Sequence, residues 1–362
     1  MTSTTLPDNN TSLTYTQPST PPHITHTPLP KPGPNDLLVK VHAAAINPVD
    51  IQLWGNPVIG WLAGKKEKGI GRDYSGEVVA IGDELQKSGK WNVGDEVYGL
   101  CNRATAEGTF TQYLSIAPGE PIAKKPKTLS YQEAAAIPLV VLTAFACLDW
   151  LPTESQSPNE KRRVIVSGAS GGVGIWCVQL AKKLYACHVI GICSGRNANF
   201  VKGLGADEVI DYGKQDVAKT LLDGRPGGKK YDLYIDCVGG TEMFDHWTEL
   251  LHPSGGYITI VGDKTSRVAM GGPATYFTYP SQVLRHIRGY ILGPRYANVI
   301  LYQRSELLEQ VATMADEGKF KVIVQDVVKG ILSEQGYQEA WEKVKGYMVE
   351  GRVRGKIVVD IA

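Results

Sequence analysis

Between residues 163 and 184 the chain passes from a buried-strand pattern through a glycine cluster into a helical pattern, an order that few folds tolerate. Val164-Ile165-Val166-Ser167 reads as a strand with both faces covered. Gly168-Ala169-Ser170-Gly171-Gly172-Val173-Gly174 then turns it into a helix over Ile175 to Leu184. Such a turn brings free amides and the positive end of a helix dipole to the carboxyl end of a strand, where a pyrophosphate binds. Gly171 lets the backbone approach the phosphates, and Gly174 lets helix and strand pack closely. Ala169, Ser170, Gly172 and Val173 complete the candidate nucleotide loop. In a chain with 40 glycines a plain tight turn is the alternative; the strand before and the helix after favour a nucleotide.

Two other glycine-loop architectures do not fit. A P-loop needs Gly-Lys followed by Ser or Thr, and no Gly-Lys pair here is so followed. A short-chain dehydrogenase carries a downstream Tyr-x-x-x-Lys, and none of the 17 tyrosines has Lys at that spacing. The next strand, Val189-Ile190-Gly191-Ile192, ends where an NAD enzyme places Asp or Glu on the ribose 2′-hydroxyl, about 20 residues beyond the glycine turn. This chain has Cys193-Ser194-Gly195-Arg196-Asn197 there. A hydroxyl and a guanidinium with no carboxylate suit a 2′-phosphate, so Ser194 and Arg196 point to NADPH. An ordinary solvated arginine is the alternative at 196.

The surrounding texture divides the chain. The first thirty residues are rich in Thr and Pro, yet Leu13 to Thr16 and His23 to His26 alternate as an edge hairpin does. Leu37 to Val41, Ser75 to Gly82, Gly94 to Gly99 and Gly108 to Tyr113 are short strands punctuated by glycine, a barrel-like pattern. Beyond Ser130, strands alternate with helices: Arg163 to Ser167, Val173 to Leu184, His188 to Cys193, Asp232 to Cys237 and Tyr257 to Val261. That alternation predicts a parallel sheet covered on both faces. A helical stretch from Tyr337 to Tyr347 and a strand from Lys356 to Ile361 return the chain to the β domain. The expected class is α/β: a β-barrel catalytic domain over 1–129 and 300–362, and a doubly wound parallel sheet inserted over 130–299.

A length of 362 residues with 43% hydrophobic content suits two cores. Thirty-eight basic and 37 acidic side chains leave a formal charge of +1, so no overall field favours nucleic acid or an anionic membrane. The longest apolar run, Ala134 to Leu148, is broken by Pro138 and Thr143 and is too short to span a bilayer. Residues 1 to 30 hold no Lys or Arg, which leads us to expect a cytoplasmic protein. The 6 cysteines lie apart with no C-x-x-C pair, as expected of reduced thiols and not of a zinc lobe. No metal is expected.

Taken together, His42-Ala43-Ala44-Ala45-Ile46-Asn47-Pro48-Val49-Asp50, Gly71-Arg72-Asp73-Tyr74-Ser75-Gly76 and Gly203 to Tyr212 resemble the medium-chain dehydrogenase/reductase superfamily. The branch they look most like is that of quinone oxidoreductases and reticulon-4-interacting proteins, and the similarity runs from Leu37 onward. The resemblance implies a GroES-like β domain made from both chain ends and an inserted Rossmann domain. It also implies Tyr212 over the adenosine 2′-phosphate, Thr143 near the nicotinamide or its ribose, and Gly239 and Gly262 among the cofactor-binding residues. Zinc-dependent members place Cys, His and Cys where this chain has Asn47, Arg72 and Thr143, which do not make a zinc site.

Without a Lewis acid, reduction of an activated acceptor is the expected chemistry: hydride goes to a quinone or an α,β-unsaturated carbonyl, and a hydrogen bond meets the developing oxyanion. Asn47, Asp50, Arg72 and Tyr74 are the candidate catalytic residues, because the matching loops face the nicotinamide in relatives. Each has a structural alternative, as turn anchors for Asn47 and Asp50 and as an Arg72–Asp73 ion pair. The stretch Trp54-Gly55-Asn56-Pro57-Val58 lacks the Tyr that enoyl-thioester reductases carry there, which weighs against a fatty-acyl substrate. Loops Leu53 to Lys68 and Met270 to Pro294 are expected to line the acceptor pocket. The expected partners are that small-molecule acceptor and a second copy in a homodimer. A different class, an NADPH-binding redox-sensing or interaction module with little turnover, is the competing reading.

Overall fold

The computed structural model describes residues 6–103, 106–153, 160–264 and 266–361, with only the backbone of Ile59. The chain divides into two units, 1–139 with 303–362, and 140–302.

The first unit is built on a seven-stranded sheet that runs Val324–Val328, Lys356–Asp360, Leu37–Ile46, Asp73–Ile81, Glu96–Leu100, Ile122–Lys124, with Tyr113–Ile116 also paired to Leu37–Ile46. Among the described residues this path is open at both ends, so the β-barrel expected from the sequence is not a closed one. Lys356–Asp360 pairs antiparallel with Leu37–Ile46, placing Ile357 opposite Ile46, so both ends of the chain share one sheet. The Thr- and Pro-rich start forms the expected hairpin, Asn9–Tyr15 against His23–Pro28, with Leu13 opposite Ile24. Residues 108–112, expected within a strand, lie outside the named strands: Leu13 N–H donates to Phe110 O at 2.9 Å and Phe110 N–H to Ile70 O at 3.0 Å. Pairing with the main sheet begins only at Tyr113. Val39, Ile46, Phe110, Trp341 and Ile357 meet in the core of this unit.

The unit boundary falls after Leu139, ten positions beyond the expected one, because the segment following Ser130 packs on the first unit. Ser130 and Glu133 form a capping box that starts the helix Tyr131–Ala135. The Tyr131 ring stacks on His42 at 4.4 Å, and Ser75 Oγ donates to Tyr131 O at 2.5 Å.

The second unit is a six-stranded sheet ordered Glu208–Asp211, His188–Cys193, Arg163–Ser167, Tyr231–Asp236, Leu251–Thr259, Arg295–Asn298. Every pairing in it is parallel. In chain order the strands stand 3-2-1-4-5-6, the doubly wound arrangement the sequence predicts. Val164, Ile165 and Val166 are fully buried, as a strand covered on both faces requires. The order reverses between Arg163–Ser167 and Tyr231–Asp236, and ligands of such sheets bind outside the carboxyl ends of the strands at that point.

Candidate functional site

The glycine turn stands at this reversal. Gly168 adopts a φ of 72°, a left-handed conformation that favours glycine. The helix Gly172–Lys183 begins with Gly171 as its cap, and its first internal bond is Ile175 N–H to Gly171 O at 3.0 Å. The amides of Gly172, Val173 and Gly174 precede that bond and are free for an anion. A Cβ on Gly174 would stand 2.1 Å from Gly168 O, so helix and turn touch backbone to backbone there. A Cβ on Gly171 would meet only Gly168 O, at 3.3 Å, with open space beyond, which is the room a pyrophosphate needs. Ala169 is buried and Ser170 half-buried. Ser170 Oγ accepts from Asn197 Nδ2 at 3.0 Å, tying the turn to the end of the neighbouring strand.

At that strand end Ser194 is half-buried, while Arg196 is exposed and has no hydrogen bond or ion pair among the described residues. Tyr212 is exposed just beyond the end of the adjacent strand; its place over an adenosine phosphate rests on the resemblance alone. One feature was not anticipated. Asp211 packs beneath this pocket, its Oδ2 only 2.2 Å from where a Gly195 Cβ would be. Together with burial, its charge raises the Cys193 thiol to about 11. A carboxylate so placed works against a 2′-phosphate, and Arg196 works for it.

Gly239 and Gly262 lie in the loops after the fourth and fifth strands, with φ of 90° and 82°. Two residues that sequence reasoning missed organise them. Asp236 accepts the Val238 and Gly239 amides, each at 2.9 Å, and the Thr259 hydroxyl at 2.8 Å. Thr259 Oγ1 in turn accepts the Gly262 amide at 2.9 Å. Asp236 is buried, and that burial raises its carboxyl although these donors favour its charged form. Thr143 is buried on the helix Pro138–Leu148; its place beside the nicotinamide rests on the resemblance alone.

Three of the four catalytic candidates come together in the first unit. Asn47 caps the helix Pro48–Trp54, with Asp50 as the returning acid of a capping box. Asp50 Oδ2 accepts the Asn47 amide at 2.7 Å, and Asp50 Oδ1 lies 3.6 Å from Arg72 Nε. Burial raises the Asp50 carboxyl to about 6 in spite of the Arg72 charge. Arg72 also donates to Arg103 O. Both polar atoms of the Asn47 amide are engaged: Nδ2 donates to Asp73 Oδ2 at 2.8 Å, and Oδ1 accepts from Lys356 Nζ. Asp73 and Lys356 were not singled out from the sequence. The ion pair of Arg72 is therefore with Asp50, and Asp73 pairs with Lys356. Tyr74 does not join them. It is buried in the core, its hydroxyl without a hydrogen-bond partner among the described residues. Gly99 makes room for that hydroxyl, since a Cβ there would lie 2.6 Å from it.

At two of the three places where zinc-dependent members hold metal, this chain presents a guanidinium and an amide already committed on both atoms. That donor set does not fit zinc.

Residues 33–127 match the family described as alcohol dehydrogenase GroES-like domain, and residues 204–359 match the one described as zinc-binding dehydrogenase. The chain is 30% identical to the NAD(P)H oxidoreductase RTN4IP1, mitochondrial, of Danio rerio, over 91% of this chain and 84% of that protein. It is also 30% identical to the chloroplast envelope quinone oxidoreductase homolog of Arabidopsis thaliana, over 92% of each. Among solved structures, the quinone oxidoreductase from Coxiella burnetii superposes with a TM-score of 0.76 at 25% identity, covering 98% of this chain and 100% of that one. No described helix is long and apolar enough to cross a membrane.

Proposed function

The chain belongs to the medium-chain dehydrogenase/reductase superfamily, in its quinone oxidoreductase-like branch, and from that premise we propose an NADPH-dependent reductase of quinones or α,β-unsaturated carbonyls that works without metal. The observation that carries the cofactor half is the glycine cradle, where Gly171 opens to space that a Cβ would begin to fill and Gly174 brings the helix amides to the strand end. Arg196, exposed and without an acidic partner among the described residues, supports the phosphorylated cofactor. When bound, the nicotinamide supplies a hydride. Asp50 and Arg72 orient the acceptor: Asp50 holds the guanidinium, which offers its remaining N–H groups to a carbonyl oxygen. Asn47 and Tyr74 hold the loops from behind. We place the protein in the cytoplasm; fractionation against organelle markers checks this, since two relatives carry organellar names.

We also read a homodimer from the second unit. Arg295–Asn298 is an edge strand, paired among the described residues only to Leu251–Thr259. Beside it the helix Ser281–Leu292 exposes Leu284 at 70%, Tyr290 at 82% and Ile291 at 70%. A two-fold copy would satisfy the free edge and cover that face.

Steady-state oxidation of NADPH with a panel of quinones and enals tests the reading. Acceptor-dependent turnover that survives a strong chelator is expected. Saturable NADPH binding with no acceptor-dependent consumption would favour the binding-module alternative instead.

A further inference from the structure

One chain of hydrogen bonds holds the loops after the fourth and fifth strands of the second unit. Asp236 and Thr259 end those strands, and the parallel register sets them side by side. Thr259 Oγ1 accepts two amides, Val261 at 3.1 Å and Gly262 at 2.9 Å, which occupy both lone pairs of the hydroxyl. Its proton therefore goes to Asp236 Oδ2, 2.8 Å away. Asp236 Oδ1 accepts the Val238 and Gly239 amides, each at 2.9 Å. Every link has a fixed direction: amides and hydroxyl donate, the carboxylate accepts, and no acceptor in the chain is left for a carboxyl proton.

Neither side chain is needed to close the sheet. The backbone pairs Asp236 with Thr259 and with Ser167, and Val299 N–H donates to Thr259 O at 2.9 Å. What the carboxylate and hydroxyl add lies beyond the strand ends, in the loops themselves. There the two loops touch backbone to backbone. Gly239, at a φ of 90°, leaves room for Lys264 O and Gly262 O, 2.5 and 3.0 Å from where its Cβ would be. Gly262 is in turn backed by Thr275 Oγ1 and Asn298 Nδ2, 2.4 and 2.8 Å from its own Cβ position.

The other side of the fourth-strand loop borders the nucleotide turn. Cys237 N–H donates at 3.2 Å to the carbonyl of Ser167, the residue before Gly168. Val238 is 52% exposed, and its Cγ2 lies 3.1 Å from where a Gly168 Cβ would be. In a doubly wound sheet of this order the first three strands serve one mononucleotide half and the last three the other. The glycine turn, Ser194 and Arg196 thus belong to the adenosine half, and the loops tied by Asp236 and Thr259 to the nicotinamide half, all within the second unit.

We infer that Asp236 is a positioning residue for the nicotinamide half of the cofactor: acting through Thr259, its carboxylate fixes the loops after the fourth and fifth strands as one support without itself touching the cofactor. The inference rests on the NADPH reading above. Asp236 is 2% exposed and Thr259 1%, and among the described residues no cation pairs with the carboxylate; Glu242, the charged group that acts on it, is unfavourable. Its charge is therefore balanced by these hydrogen bonds, which ties the carboxylate to the loop geometry. Asn at this position would still accept two amides, but it would turn an N–H toward Thr259 Oγ1, whose lone pairs are taken. Val in place of Thr259 keeps the shape and removes the hydroxyl.

Asp236→Asn, Thr259→Val and Thr259→Ser, made in the full chain, test this by calorimetric titration with NADPH and, separately, with 2′,5′-ADP, a probe that carries the adenosine half and no nicotinamide. Asp236→Asn and Thr259→Val should each weaken NADPH roughly tenfold, the scale of one lost hydrogen bond to a charged group, and leave 2′,5′-ADP unchanged. Thr259→Ser restores the hydroxyl and should bind NADPH as the unmodified protein does. The double variant Asp236→Asn with Thr259→Val should bind NADPH no more weakly than the poorer single one, because both changes break the same chain of bonds. Should Asp236→Asn fail to fold, the contrast between Thr259→Val and Thr259→Ser decides by the same criteria. Equal losses of NADPH and 2′,5′-ADP would reduce Asp236 to a structural role, and unchanged NADPH affinity in Thr259→Val would show that the loops hold without the hydroxyl. Either result overturns the assignment and leaves the NADPH reading standing; an unmodified protein that does not bind NADPH overturns both.

Discussion

Lys356 Nζ lies 2.9 Å from Asp73 Oδ2, in an ion pair whose side chains are 4% and 0% exposed and whose residues stand 283 positions apart. The same ammonium donates to Ile46 O at 3.1 Å and to Asn47 Oδ1, so one cation fixes the last strand to the start of the helix Pro48–Trp54. Asp73 Oδ1 meanwhile accepts the Leu139 amide at 2.7 Å.

Removing that cation strands a buried carboxylate. Lys356→Met should cost about 3–5 kcal/mol of stability, the usual penalty for one partner of a buried pair. Urea unfolding measures it. Adding Asp73→Asn to Lys356→Met should recover part of the loss, because the uncompensated charge is then gone; no recovery would mean that packing and not charge sets the cost.

Cofactor selection sets Arg196 and Ser194 against Asp211. NADPH should bind ahead of NADH, and Arg196→Ala with Ser194→Ala should shrink the preference by more than tenfold, since a charge-assisted contact contributes about 1.5–3 kcal/mol. Asp211→Asn should move the ratio the other way, toward NADPH. Titration of both cofactors by fluorescence decides this, and equal affinities in the unmodified protein would sink the NADPH assignment.

The two glycines of the turn should fail differently. Gly171→Val places its methyls in open space, so we expect a near-native melting temperature without ligand but no stabilisation by NADPH. Gly174→Ala drives a Cβ to within 2.1 Å of Gly168 O and should lower the melting temperature of the ligand-free protein itself. Comparable melting temperatures for the two variants would show that the turn can relax around Gly174.

Asp50 should leave its mark on stability against pH. Its carboxyl is raised from 3.8 to about 6 by burial, so the folded chain binds this proton more tightly than the unfolded chain does. The associated stability is fully present below about pH 4 and is lost as pH rises through about 6. A rise from 3.8 to about 6 corresponds to about 3 kcal/mol at most. Asp50→Asn cannot titrate, so its unfolding free energy should lack this contribution to the pH dependence between 4 and 7. A variant with an unchanged pH profile would place the proton elsewhere.

What the sequence determined by itself was local or periodic. The glycine turn could be read because strand, turn and helix occupy consecutive positions, and each glycine answers to a neighbour a few residues away, as Gly174 does to Gly168 O. The parallel sheet was legible in the same way, from fully buried runs such as Val164 to Val166 alternating with helices. Tertiary structure decided what depended on distant partners. Arg72-Asp73 looked like an ion pair along the chain, yet successive residues of an extended strand point to opposite faces, and each side chain found another mate. Asp73 met Lys356 only because Lys356–Asp360 pairs with Leu37–Ile46. The same alternation sent Tyr74 into the core. Asp211 escaped notice for a related reason: it lies 16 positions from Gly195 along the chain, and only the parallel pairing of Cys193 with Asp211 sets a carboxylate beneath that pocket. Periodicity tells which residues face inward; it does not tell which of them meet.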